Sequence, residues 1–249
     1  NTLETQLIGT GGALNLTTGT LNGQITTITV TQSSGYGVFL NGVSGTLVSS
    51  ATGTSDTVSE GIRIENSSVD ANFSDTIVAK GSAGNAILLN NNTATSDIVF
   101  GAGGNLFAIF TINGSGLVAT NHDGSITING TSASSDVTVG SGSCFNIDGP
   151  AGLTTIAIQV DTCTTTTAPT YGIRLQDTDG ALFRIANATA IDSSLGAQEG
   201  ILLENADTTT IDISGGSTVN ITNRRDEAVR VSNSNGTSLL FGAVTANNP

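Results

Sequence analysis

Four heptapeptides in this chain are versions of one another: EGIRIEN (60–66), YGIRLQD (171–177), EGILLEN (199–205) and EAVRVSN (227–233). Looser copies are YGVFLNG (36–42), NAILLNN (85–91) and SCFNIDG (143–149). Aligned on the first of their alternating apolar positions, the series reads Val38, Ile62, Ile87, Phe110, Phe145, Ile173, Ile201 and Val229. The steps are 24, 25, 23, 35, 28, 28 and 28 residues. A period of this size, sustained along a chain, predicts stacked units, none of which can bury its apolar face alone.

Each period holds three short strand signals. Residues 201–222 contain ILLE, TIDI (210–213) and TVNIT (218–222); residues 173–192 contain IRLQ, ALFRI (181–185) and ATAID (188–192). The intervening Gly, Asn, Asp and Thr favour tight turns, and no useful run with helical spacing of apolar residues interrupts them. Three strands per coil, stacked at roughly 4.8 Å, make a parallel β-helix, and the preference for right-handed crossovers sets its hand. The expectation is an all-β chain: a single right-handed parallel β-helix over 1–249, with about nine or ten coils of three short strands and a length of roughly 45 Å. The 35-residue step predicts a loop or extra-strand insertion within 114–144. A β-sandwich is the alternative architecture, but it would require no periodic motif. The start at Asn1 and the lack of Met read as a mature or excised fragment of a longer chain.

Alternation sends successive strand side chains to opposite faces. Ile62 and Ile64 therefore point inward, as do Ile173 and Leu175, Ile201 and Leu203, and Val229 and Val231. The residue between them faces out, giving the row Phe39, Arg63, Leu88, Thr111, Asn146, Arg174, Leu202 and Arg230. Three of the chain's six arginines fall on this row. Such a stripe, on a rod that is otherwise small, polar and acidic, is a candidate binding face through Phe39, Arg63, Leu88, Arg174, Leu202 and Arg230. The competing explanation is that these long side chains shield strand edges and pair with acids such as Glu65 and Glu204.

Each motif strand ends in a residue tolerant of left-handed backbone: Asn66, Asn91, Asp177, Asn205 and Asn233, or else Gly42, Gly114 and Gly149. Stacked coils would set the Asn and Asp side chains in a ladder, linked by amide hydrogen bonds.

Formal net charge is −13, with seven Lys and Arg in 249 residues. That balance argues against nucleic acid and anionic membranes as partners. No stretch is long and apolar enough to span a bilayer. Little points to catalysis. Lys80 is the only lysine, and the only histidine, His122, lies in NHDG, which reads as an exposed polar turn. The paired acids are Asp177/Asp179 and Asp226/Glu227; DTDG (177–180) has the spacing of a calcium-loop opening but lacks the downstream Glu and reads more simply as an Asx-turn, and no metal-ligand set or cofactor motif is present. Cys144 and Cys163 are the only cysteines. In an extracellular chain they would form a disulfide that clamps the DTCTTTTAPTY loop to the coil below; otherwise they are free buried thiols.

The GIRLxD and GILLEN strands, each closed by Asn, Asp or Gly, resemble right-handed parallel β-helix proteins with an asparagine ladder. The Thr-, Gly- and Asn-rich, lysine-poor, acidic composition is most similar to passenger domains of bacterial autotransporters and giant surface adhesins. The resemblance covers essentially the whole chain and implies an extracellular or cell-surface location. It implies a non-enzymatic adhesin or adhesin stalk whose partner is a glycan or surface protein. The alternatives are a self-assembling fibre or matrix subunit, and a polysaccharide lyase, hydrolase or tailspike fragment.

Overall fold

The structure is a computed structural model describing residues 2–8, 12–31, 33–55, 57, 59–103, 105–130, 134–149, 155–166, 171–185, 189–193, 199–223 and 227–247. Among them every regular element is a strand, and the strands stack in parallel as a β-helix. They form three stacks. The front stack holds the heptapeptide motif. The second includes Ile98–Phe100, Ile126–Asn129, Ile156–Val160 and Leu182–Ile185, and the third includes Phe107–Asn113, Asp136–Val139 and Thr162–Thr165.

Register in the front stack runs Leu14, Val38, Ile62, Ile87, Leu117, Phe145, Ile173, Ile201, Val229, each paired with the next. The coils starting at Val38 through Ile201 have a neighbour on both sides, giving about seven turns between the flanking coils at Leu14 and Val229. The higher count expected from sequence drew further coils from residues 1–35. There Leu14–Thr31 supplies one coil, and Thr2–Ile8 pairs only with its 24–31 part.

The aligned position in the fourth motif is Leu117, not Phe110. Phe110 lies in the third stack beside Ala79 and Thr138, and its side chain is 55 % exposed. The described residues of 114–144 are correspondingly regular. Its strands Leu117–Thr120, Ile126–Asn129 and Asp136–Val139 occupy the three stacks in order, paired with coils on both sides. The true steps on either side of Leu117 are 30 and 28 residues, so no insertion is needed to explain the spacing.

A narrow corner fixes this register. The residue before each inward position is small: Gly37, Gly61, Ala86, Gly116, Cys144, Gly172, Gly200 and Ala228. A Cβ on Gly116 would stand 2.4 Å from the Cys144 carbonyl oxygen, closer than real Cβ contacts come. The residue before Phe110 is Ile109, which that column could not admit.

The core is a set of ladders of like residues. Val38/Leu40, Ile62/Ile64, Ile87/Leu89, Leu117/Ala119, Phe145/Ile147, Ile173/Leu175 and Ile201/Leu203 are all buried. In the second stack Phe73, Phe100, Ile128, Ile158, Phe183 and Ile211 follow one another in register. Phe73 and Phe100 stack with centroids 5.3 Å apart, and Phe145 meets Phe183 edge-on at 5.0 Å. Such ring pairs add about 0.5–1.5 kcal/mol beyond burial alone.

Cys144 and Cys163 are disulfide-bonded, 19 residues apart, and fully buried. Cys163 does not sit in a loop. It lies on the strand Thr162–Thr165, in register with Val137 of the coil below. The bond therefore closes most of one coil inside the core rather than clamping a surface segment.

Candidate binding face

The outward row observed on the front stack is Asn15, Phe39, Arg63, Leu88, Val118, Asn146, Arg174, Leu202 and Arg230. Val118 takes the place expected for Thr111, which is buried in the third stack in register with Val139. Six expected face residues, Phe39, Arg63, Leu88, Arg174, Leu202 and Arg230, do share one row. Leu202, however, is only 5 % exposed. It stands between Arg174 and Arg230 in register.

The residue two before each inward position lies across the small corner residue, and the bend there, not alternation, brings it beside this face. That adds a second column containing Tyr36, Glu60, Tyr171, Glu199 and Glu227, which the row of single outward residues overlooked. The signal was already present in YGVFL, EGIRI, YGIRL and EGILL.

The two columns form clusters. Tyr36 stacks on Phe39 with centroids 4.6 Å apart, and the Arg63 guanidinium lies 5.3 Å from the Tyr36 centroid and 5.9 Å from that of Phe39. Arg63 donates to Glu65 at 2.6 and 2.9 Å and to the Tyr36 hydroxyl at 3.2 Å, with Glu60 at 3.6 Å. Burial pulls the Arg63 pKa down, but the hydrogen bond and charge of Glu65, with Tyr36 and Glu60, outweigh it and the net shift is upward. Four coils on from Arg63, Arg174 lies 5.7 Å from the Tyr171 centroid. It donates to Asn146 at 3.0 Å, to Asp148 at 3.4 Å and to Gln176. Arg230 donates to Glu199 at 2.9 Å, which raises its pKa. Burial, then the Glu199 charge, raises that of Tyr171. Each arginine of the row is thus neutralised locally, and the acid expected from sequence to pair with Arg63, Glu65, does so.

The corner after the front strands carries left-handed residues at Asn66, Asn91, Asn121, Asp177, Asn205 and Asn233, with φ between 49° and 52°. Asn121 was missing from the expected ladder because Phe110 had displaced Leu117 in the alignment. The side-chain links are pairwise: Asn66 to Asn41 at 3.1 Å, Asn121 to Asn91 at 3.2 Å, and Asn205 to Asp177 at 2.9 Å. Beside this ladder Asp177, Asp179, Asn205, Asp207 and Asn233 line an open groove. Its acids are used in the fold: Asp179 accepts the N–H of Asp207 at 3.1 Å, and Asp207 that of Asn235 at 2.5 Å. Among the described residues no group of His, Cys, Asp and Glu is arranged to hold a metal ion. Asp226 lies outside the described residues.

His122 is not an exposed loop tip. It is fully buried in the corner, because it follows the left-handed Asn121 and alternation turns its ring into the core. No protein-family model, no curated protein and no solved structure matches this chain.

Proposed function

We propose that this chain is a non-enzymatic β-helical segment of an extracellular or bacterial cell-surface protein, resembling autotransporter passenger and giant adhesin segments. It acts as an adhesin or as the stalk that displays one. The observation that carries this reading is the unbroken front register from Leu14 to Val229. A rod built on one repeated strand is stiff, and its length grows by one coil at a time. The locally neutralised arginines favour the stalk over a charged contact face. A partner suited to the front face is a glycan or surface protein that meets paired Tyr, Arg and Glu groups.

Binding of the purified segment to glycan arrays and matrix proteins tests this, beside an Arg63→Ala/Arg174→Ala/Arg230→Ala variant. Saturable binding lost in the variant assigns an adhesive face, and its absence from the folded wild type assigns a stalk. Turnover of a polysaccharide would overturn both.

A second reading, a subunit of a self-assembling fibre or matrix, is favoured by one feature. Ile77, Phe110 and Ile112 are 47, 55 and 54 % exposed on neighbouring strands of the third stack. Concentration-dependent association abolished by Phe110→Ser would support lateral packing through that patch.

A further inference from the structure

The residue after each left-handed corner residue points inward, giving the column Val43, Ser67, Asn92, His122, Thr178, Ala206 and Ser234. Where this column is polar, its side chain commonly accepts a backbone N–H from the coil below. Ser67 Oγ accepts from Val43 at 3.1 Å, Asn92 Oδ1 from Ser67 at 3.0 Å, and Ser234 Oγ from Ala206 at 2.9 Å. The same side chains donate to a carbonyl: Ser67 to Glu65 at 2.7 Å, Asn92 to Ile64 at 3.0 Å, and Ser234 to Ser232 at 2.9 Å. The column therefore calls for a group that both accepts and donates.

His122 can offer both a donor and an acceptor only as a neutral ring. Its Nε2 lies 3.3 Å from the Ser125 carbonyl, which fixes the donor there and leaves Nδ1 as a lone pair. Nδ1 is buried without a partner. A proton on Nδ1 would be a second donor with no acceptor at a fully buried ring, an arrangement that destabilises folded proteins.

We propose that His122 makes the corner between Asn121 and Ile126 an acid-sensitive joint, in which protonation of the buried ring loosens the coil that starts at Leu117 while the coils near Ile173 stay closed. The charged groups facing the ring are Asp123 on its own turn and Asp97 on the coil below. Asp97 is already engaged, accepting from Ser125 N at 3.2 Å and Ser125 Oγ at 2.5 Å. On the coil above, 150–154 lie outside the described residues. Burial lowers the His122 pKa, and the Ser125 carbonyl and the two aspartates offset this only in part. The folded value therefore lies below the unfolded one. The stability from the neutral ring is full above an unfolded pKa of about 6.5 and is lost as pH falls through that value toward the folded one.

His122 is the only histidine, so its ring resonance is unique in the NMR spectrum of the whole chain. It should titrate below about 6.5. Hydrogen-exchange protection of the amides 121–130 should fall on the order of tenfold between about pH 7 and pH 5, while that of 173–176 holds. His122→Asn, which copies Asn92, should remove this local pH dependence. A folded-state titration at or above about 6.5 overturns the proposal. So does an unchanged pH response in His122→Asn, or, should that variant not fold, in His122→Gln.

Discussion

Arg230 donates to Glu199 at 2.9 Å across one rung of the front stack, and the two partners differ sharply in burial: the guanidinium is half in solvent while the carboxylate is 2 % exposed. One Glu199 oxygen, Oε2, is buried without a partner. The pair is therefore asymmetric. The arginine can leave at little cost to itself, but the carboxylate cannot do without it.

Removing Arg230 alone should then be worse than removing the pair. Arg230→Ala strands a buried charge, whereas Arg230→Ala/Glu199→Gln does not. Urea midpoints of wild type, both single variants and the double variant form the cycle that reads this. Recovery of stability in the double variant is the expected result, and simple additivity would show that the pair is not coupled.

The register at Leu117 makes a prediction that separates it from the alignment on Phe110. Leu117 is fully buried and Phe110 is mostly exposed. Leu117→Ala should cost about 2–5 kcal/mol by chemical denaturation, and Phe110→Ser should stay within about 0.5 kcal/mol. The reverse order would place Phe110 in the core.

At Asn121 the backbone has φ 49°. Glycine adopts this conformation freely and alanine does not. Asn121→Gly should lose the hydrogen bond to Asn91 alone, while Asn121→Ala should cost about 1 kcal/mol more. Equal thermal midpoints for the two variants would contradict the left-handed corner.

The disulfide closes a loop of 19 residues in the core. Replacing Cys144 and Cys163 together with Ala should cost about 3 kcal/mol. Because both sulfurs are buried, a mild reductant should act slowly on the folded protein and quickly in denaturant, as mass spectrometry of alkylated thiols would show.

The fold was legible because one face repeats almost verbatim. EGIRIEN and its copies carry alternation, a small residue before it and a left-handed residue after it, and each of these constrains the coil. The fourth coil was misread because FAIFTIN (107–113) alternates as cleanly as a motif strand, whereas the true copy, GLVATN (116–121), has the small Ala119 at its second inward position. Alternation alone does not distinguish the three stacks. The small residue does: Gly116 precedes Leu117, but Ile109 precedes Phe110. The burial of Leu202 and His122 was not legible in the same way. It depends on how side chains settle over the sheet and on which side of a corner a ring turns, neither of which a linear pattern encodes. The Tyr36 and Tyr171 clusters were not readable from period 2, which would turn both rings inward with Val38 and Ile173; the corner at Gly37 and Gly172 brings them to the outer face instead.

The buried Cys144–Cys163 bond also gives the rod a mechanical character. A pull on the two ends of the chain would peel coils away one by one, since each is held only by its neighbours. The tether would lengthen by roughly 3.3–3.6 Å for every residue freed. Between Cys144 and Cys163 no length can be paid out. The coil of Phe145 is an inextensible ring in an otherwise unravelling thread, and the force record of a stretched molecule would carry it as a missing increment.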